Sequence, residues 1–339
     1  MVGHICKVSV IIPTFNSAQY IMEGIQSVLT QSFKDFEIIV IDDGSTDNTK
    51  EILKPYIEDG LIRYIYQTNQ GPGAARNTGI KAGKGEYIAF LDADDQLFPE
   101  SVGVRRELLD EHKDIFLAFS DYVLSADNSS SMKPRLRSLG FLNKFQDAIN
   151  VNIGNRYVFN EKFINLFWEF SPRPICTITV MIRRSLVDKV GCFRTDVSVG
   201  EDIDYWMRIA ARYKVGYIDE PLAIYNHHAG ALTKNVERYY SDAIKMYSTY
   251  LDSEIFDRKI VYKKMSSLYF SLGYHYIWNN NQDKARKALI RSLRYDFNNL
   301  ASIKCLLMSF IPLRLLSALK NVFRQKTLTK SEAAEGNTR

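Results

Sequence analysis

The chain has 339 residues, 46% of them hydrophobic and 24% charged, which supplies enough apolar side chain for a sizeable core and excludes a disordered chain. Forty-four basic against 39 acidic residues leave a net charge of +5, short of the basic stripe of a nucleic-acid binder, so no nucleic-acid partner is expected. Four cysteines without a paired spacing exclude a zinc knuckle or disulfide framework and point to a reduced, cytoplasmic compartment.

The first apolar run, Val8 to Ile12, ends at Pro13, too short for a signal-peptide core and suited to a first strand. Strands are expected at "KVSVII", "FEIIVI", "LIRYIY" and "EYIAFL", with helices over 17–31, 46–59 and 72–83 between them. The runs are almost continuously apolar, as in strands covered on both faces. This implies an α/β fold, a parallel, Rossmann-like sheet flanked by helices with ligands at the carboxyl ends of its strands. Each strand stops at a polar cluster, "PTFN", "DDGSTD", "NQGPGAARN" and "DADD", so four clusters are expected on one rim.

After "DIFLAFSDYVL" the region 125–175 is less regular, and its aromatic part "YVFNEKFINLFWEF" suits either a cleft lining or a packed amphipathic helix. "GEDIDYWMRIAARY" opens a helix with Ile203, Trp206 or Met207 and Ala210 on one face, and Asp204 is spaced from Arg208 as an i, i+4 ion pair. Beyond 235 the pattern is wholly helical. Leu272, Gly273, Tyr276, Ala285 and Leu289 follow the tetratricopeptide spacing once, where stable solenoids need about three repeats, so a helical hairpin docked on the main domain is expected. Residues 298–330 carry Lys304, Arg314, Lys320, Arg324, Lys326 and Lys330 with no acid among Leu, Ile, Phe and Met. Such a segment suits an anionic membrane surface, or a helix packed on its own domain or a partner chain. Pro312 and Arg314 interrupt its best apolar stretch, so no integral span is expected. The expected organisation is an α/β domain over 1–235, a helical hairpin extension over 236–300 and a basic amphipathic tail with a disordered end over 301–339.

The string "DADD" has two readings. One is an ordinary turn or cap ahead of "FPES". The other is a cation site: in an extended segment Asp92 and Asp94 share a face with Asp95 opposite, and such hard oxygen ligands suit Mg2+ or Mn2+. Gln96 and Leu97 exclude an EF-hand loop. "DDGSTD" is likewise either a turn with Ser45, Thr46 or Asp47 capping the next helix, or a carboxylate pair for the donors of a base or ribose. "GPGAARNTG" brings backbone NH groups and Arg76 to a helix start, where a phosphate fits, although it matches neither the dinucleotide fingerprint nor a Walker A loop.

Together, "VSVIIPTFN", "DDGSTDNT", "GPGAARNTGI", "GEYIAFLDADD" and "VMIRRSLVDKVGCF" followed by "GEDIDYWMRIA" resemble the family-2 glycosyltransferases, inverting enzymes with the GT-A fold. The resemblance runs from about residue 6 to 233, in order, and does not cover the helical tail. It implies that Pro13, Thr14, Phe15, Asn16 and Asp43 hold the nucleotide base, with Phe15 stacked on uracil, and that Arg76 and Asn77 lie near the nucleotide. It also implies that Asp92 and Asp94 ligate Mn2+ or Mg2+ bridged to the diphosphate and contact the ribose. Because the string reads D-x-D-D, Asp94 and Asp95 are the other possible pair, with Asp94 common to both and the remaining aspartate on the nucleotide sugar. Asp202 is the implied catalytic base and Glu201 arranges the acceptor site, a helix cap being the plainer role for Asp202. In "YNHHAGALTKN", His228 matches a residue that closes over the diphosphate and would join the metal, while His227 does not; a surface histidine pair is the alternative.

The resemblance therefore implies a metal-dependent inverting transferase that moves a sugar from a nucleotide sugar, expected to be a UDP-sugar, to a hydroxyl of a glycan or lipid-linked acceptor in cell-surface polysaccharide biosynthesis. No Q/R-x-x-R-W motif is present, which favours addition of a single sugar. The expected location is cytoplasmic, with peripheral contact to the inner face of the membrane through the basic tail, and oligomerisation is left open. Two other classes compete. A nucleotidyltransferase needs a glycine-rich loop with a catalytic lysine or arginine after the first strand, and "PTFNSAQY" has neither glycine nor base. A non-catalytic nucleotide-sugar-binding or scaffold protein has no need of Asp43, Asp92, Asp94 and Asp202 together.

Overall fold

The computed structural model describes residues 6–125, 133–170, 173–226, 235–253 and 256–311; His227, His228 and the tail from 312 lie outside them. The chain divides into two compact units, Met1–Ala231 and Leu232–Arg339.

The first unit opens with β1 (Val8–Thr14), α1 (Ile21–Leu29), β2 (Phe36–Asp42), α2 (Thr49–Glu58), β3 (Arg63–Tyr66), α3 (Pro72–Ala82) and β4 (Tyr87–Phe90). It continues through a short β5 (Gln96–Leu97), α4 (Ser101–Glu111), β6 (Ile115–Ser125), α5 (Arg135–Ser138), α6 (Phe141–Phe145), β7 (Ile149–Ile153), β8 (Arg156–Phe159) and α7 (Phe163–Glu169). Last come β9 (Met181–Arg183), α8 (Val187–Val190), α9 (Glu201–Ala210) and β10 (Lys214–Asn226). The strands form one mixed sheet in the order β3-β2-β1-β4-β9-β6-β10-β8-β7, with β5 beside β10. β1 is parallel to both β2 and β4, and β9 is antiparallel to β4 and β6.

This order sets the site. β2 and β3 lie on one side of β1 and β4 on the other, so the chain reverses its direction of sheet growth beside β1, the place where open α/β sheets bind ligands at their carboxyl ends. The apolar runs are buried as expected: Val8, Val10, Ile11 and Ile12 of β1 are fully inaccessible. α1 begins later than the expected residue 17, because the Ser17 carbonyl accepts from the amides of Tyr20 and Ile21 and closes a turn first. The aromatic segment is packed core rather than an open cleft wall: Phe141, Phe145, Phe159, Phe163 and Phe167 are all buried against one another.

The second unit holds α10 (Val236–Ser248), α11 (Arg258–Trp278), α12 (Gln282–Tyr295) and α13 (Leu300–Met308). Asn235, Asp257, Asn281 and Asn299 each cap one of these helices by accepting a first-turn amide. The tetratricopeptide-like residues Leu272, Tyr276, Ala285 and Leu289 form its core. No described helix is long and apolar enough to cross a membrane.

α3 presses on β1 at Gly79, where a Cβ would lie 2.4 Å from Ile11 Cγ2. Alanine favours a helix interior over glycine by about 1 kcal/mol, but overpacking a rigid strand costs about 1–3 kcal/mol. Gly79→Ala should therefore lower the free energy of unfolding in a denaturant titration; a stabilised variant would show that this contact does not set the approach of α3.

Candidate active site

Four loops meet at the carboxyl ends of the parallel strands. After β1, Asn16 takes a left-handed conformation (φ 49°), and its Oδ1 accepts from the Thr46 amide at 2.8 Å while its own amide donates to Ser45 Oγ at 2.9 Å. The loops after β1 and β2 are thereby laced together, leaving the Phe15 ring 48% exposed above them. Pro13 is half-buried, and the buried Thr14 hydroxyl has no hydrogen-bond partner among the described residues. Asp43 is buried and accepts from Gln67 Nε2 at 2.7 Å, the Gln70 amide at 2.9 Å and the Gly71 amide at 2.8 Å. It ties the end of β2 to the loop that leads into α3, so its carboxylate joins the second cluster to the third.

The acids of the fourth cluster do not follow the alternation of an extended segment. The Asp95 amide donates to the Asp92 carbonyl at 3.1 Å and closes a turn. Burial nevertheless separates the three carboxylates: Asp92 and Asp94 are half-buried, and Asp95 is only 2% exposed. Asp95 accepts from the Asn226 amide at 2.7 Å, and Asn226 Nδ2 donates to the Asp94 carbonyl at 2.7 Å, so the end of β10 fixes the turn. Burial, followed by the charges of Asp92 and Asp94, holds the Asp95 carboxyl well above the usual carboxylate range.

Arg76 joins this turn to α9. Its guanidinium is buried and donates to Asp92 Oδ1 and to Glu201 Oε1, each at 2.7 Å, over the face of Phe193. Burial opposes its charge, but Asp92, Glu201 and Asp202 together outweigh that cost and raise its pKa. The charge faces carboxylates, and the two acidic motifs thus share a single cation. Asn77 braces the same region: its side chain both donates to and accepts from the backbone of Phe193, at 2.8 and 2.9 Å. Gly73 permits the approach, because a Cβ there would lie 2.4 Å from the Arg194 carbonyl oxygen and 3.3 Å from Glu201 Cγ.

α9 starts at Gly200, in the left-handed region, without a side-chain cap. Asp202 is therefore not the N-cap. Thr177 Oγ1 donates to Asp202 Oδ2 at 2.9 Å, and the Ile203 amide donates to Oδ1 at 2.7 Å. Asp204 pairs with Arg208 at 2.9 Å, the expected i, i+4 contact. The buried Glu201 carboxyl is pushed up to about 7 by burial and then by the neighbouring Asp202 charge, with Arg76 pulling it down. Cys176 and Tyr225 complete the neighbourhood: both are raised by burial, and both feel the charges of Asp92 and Asp95, with Asp202 also acting on Cys176 and Asp94 on Tyr225. Asp92, Asp94, Asp95 and Asp202 thus converge on one acidic spot.

Two residues escaped sequence reasoning. Thr177 sits in "PICTITV", which reads as strand; it lies instead on a single 3-10 turn over Thr177–Thr179. That turn is gripped by Arg105 of α4, a fully buried guanidinium that donates to the Ser101 carbonyl at 3.0 Å and the Ile178 carbonyl at 3.1 Å, and whose pKa burial lowers to about 9. No local pattern announces either partner, since both contacts span more than 20 residues. Among the described residues no three His, Cys, Asp or Glu side chains form a ready metal-holding group.

The model of the family "Glycosyl transferase family 2" matches residues 9–191. An uncharacterized glycosyltransferase of Rickettsia felis is 34% identical over 220 residues, which cover 65% of this chain and 33% of the relative. The chain therefore spans about a third of the length of that relative. The uncharacterized glycosyltransferase EpsJ of Bacillus subtilis is 30% identical over 257 residues, 72% of this chain and 70% of the relative. Among solved structures, Staphylococcus aureus TarS 1–349 with UDP-GlcNAc superposes with a TM-score of 0.61 at 21% identity, covering 85% of this chain and 81% of that one. The mannosyltransferase PcManGT of Pyrobaculum calidifontis, with GDP-Man and Mn2+, gives 0.57 at 17% identity over 98% of this chain and 85% of that one. The sheet is that of the GT-A glycosyltransferases, and, with more than half of its residues matched by the family model, the chain belongs to glycosyl transferase family 2.

Proposed function

We propose that the chain is an inverting, metal-dependent glycosyltransferase that moves a sugar from a nucleoside diphosphate to a hydroxyl of a glycan or lipid-linked acceptor. The observation that carries this reading is the convergence of the Asp92–Asp95 turn and Asp202 on one spot at the switch point of the sheet, joined through Arg76. The likeness to proteins solved with UDP-GlcNAc and with GDP-Man and Mn2+ supports it. The exposed Phe15 ring suits a stacked base, and the unpartnered Thr14 hydroxyl suits a nucleotide contact.

The donor set fits a divalent cation. Asp92 and Asp94 are two half-buried hard oxygen ligands whose charges already disfavour a third ionised carboxylate at Asp95. Two carboxylates with the substrate's phosphates are the usual way of holding Mg2+ or Mn2+. A cation bound there supplies charge compensation to the departing nucleoside diphosphate. Asp95, buried and tied to Asn226, shapes the turn, and this favours Asp92 as the partner of Asp94. Asp202, oriented by Thr177, accepts the proton of the acceptor hydroxyl as that oxygen attacks the anomeric carbon opposite the leaving phosphate. Glu201, bonded to Arg76, holds the start of α9 beside the acceptor. A UDP-sugar donor, polysaccharide synthesis as the setting and a cytoplasmic location belong to the same proposal.

Asp202→Asn should retain donor binding and lose about 10²–10⁴-fold in transfer, the usual scale of acid–base catalysis. Near-normal turnover by that variant would remove Asp202 from the chemistry. Asp94→Ala, or EDTA added to the wild type, should weaken calorimetric binding of a nucleoside diphosphate; equal affinity with and without chelator would sink the metal site.

The raised Glu201 value also predicts a pH dependence of stability. A native pKa of about 7 against an ordinary 4.5 means that the folded state prefers the protonated acid. The associated stabilisation is complete below the unfolded value and is lost as pH rises through the native one. Glu201→Gln cannot titrate and should shrink the loss of unfolding free energy between about pH 5 and about pH 8. An unchanged loss would show that Glu201 is ionised throughout that range.

A further inference from the structure

Helix α13 carries large apolar side chains on its outer face as well as its inner one, unlike an ordinary surface helix. The face turned into its unit buries the small residues Ser302, Cys305 and Ser309, with Ser302 bonded to Ser292 of α12 at 2.7 Å, and packs the partly buried Leu306 and Met308 against the core. Its outer stripe leaves further large apolar side chains uncovered: Leu300 is 68% exposed, Leu307 66%, and Phe310, just past the helix end, 67%. Ile303 lies between them and Phe297, 77% exposed, precedes them. Scattered exposed leucines need no explanation, but a stripe at helical spacing that ends in phenylalanine does.

Charge points to the occupant. Residues 284–330 contain eleven lysines and arginines and one acid, Asp296, a local excess of +10 in a chain whose net charge is +5. The remainder of the chain is therefore net negative; of this charge, the described residues 282–311 carry six lysines and arginines against Asp283 and Asp296, an excess of +4, and the other five basic residues follow in the sequence after 311. Lys287, Arg291 and Arg294 are exposed on one face of α12, with Lys304 exposed on α13. Arg286 lies over the Phe310 ring at 5.1 Å, and basic side chains beside bulky apolar ones match the two layers of an anionic bilayer surface, headgroups outside and acyl chains beneath. Nucleic acid would satisfy the charge but leave Leu300, Leu307 and Phe310 without a counterpart.

We propose that α12 and α13 form a docking face for anionic membranes. The inference is independent of the reaction assigned to the first unit. It is tested by flotation of the full chain with phosphatidylcholine vesicles containing about one third phosphatidylglycerol, against vesicles of phosphatidylcholine alone. The wild type should float with the anionic vesicles and lose most of its binding in high salt. The combined variant Lys287→Gln, Arg291→Gln, Arg294→Gln should weaken binding about a hundredfold, at roughly a factor of five per charge near the surface. Leu300→Ser with Leu307→Ser and Phe310→Ser should weaken it at least tenfold, while circular dichroism and thermal unfolding stay those of the wild type because the replaced side chains are exposed. Equal flotation with neutral vesicles, or undiminished binding by either variant, would overturn the proposal. So would a wild type that ignores vesicles and instead forms a dimer by sedimentation, since a second copy would then be the occupant.

Discussion

A buried guanidinium needs acceptors for its hydrogen bonds and compensation for its charge, and the arrangement of this rim depends on the carboxylates that supply both at Arg76. Its two partners, Asp92 and Glu201, lie 16 and 125 residues away in sequence, at the end of β4 and the start of α9. Removing one charge from such a cluster leaves the others uncompensated in a desolvated place, so the three positions behave as a unit. Gly73 allows the helix that carries Arg76 to come close enough to α9, and the Asn77–Phe193 pair fixes the loop between. The acidic turn and the aspartate beside it are thus held relative to one another before any ligand arrives.

Among the described residues that arrangement gathers more acids than basic side chains. One arginine faces Asp92, Glu201 and Asp202, while Asp94 and Asp95 crowd the same spot and the Asp95 carboxyl is pushed toward its neutral form. A fold that concentrates acids at the switch point of its sheet, where a diphosphate is proposed to bind, makes physical sense if a divalent cation lies between carboxylates and phosphates. The second unit carries the opposite imbalance, a basic and apolar surface, and the two proposals assign the two imbalances to different ligands.

Much of the rim was legible because the fold obeys local rules. Continuous apolar runs gave β1, β2 and β4, and the polar clusters that end them fall at adjacent carboxyl ends, since these strands are neighbours in the sheet. Other features depend on contacts that no local pattern encodes. "SVGVRRELLDE" forms α4, yet its buried face includes Arg105, which a hydrophobic periodicity assigns to solvent. Arg76 reads as a phosphate ligand until Asp92 and Glu201 are found on either side of it. The D-A-D-D string reads as extended, and the hydrogen bond from the Asp95 amide to the Asp92 carbonyl makes it a turn. The aromatic stretch near residue 160 suited cleft or core equally well, and stacking of Phe159 and Phe163 with Phe141 and Phe145 decides for core.

The chemistry open to this rim depends on what neutralises the acidic turn. Anomalous diffraction at the manganese edge, from crystals grown with Mn2+ and a nucleoside diphosphate, addresses this directly. The account predicts one strong peak in contact with both Asp94 and the diphosphate, with Arg76 still bound to Asp92 and Glu201. A diphosphate seated on the Arg76 guanidinium, with no manganese at Asp94, would contradict it.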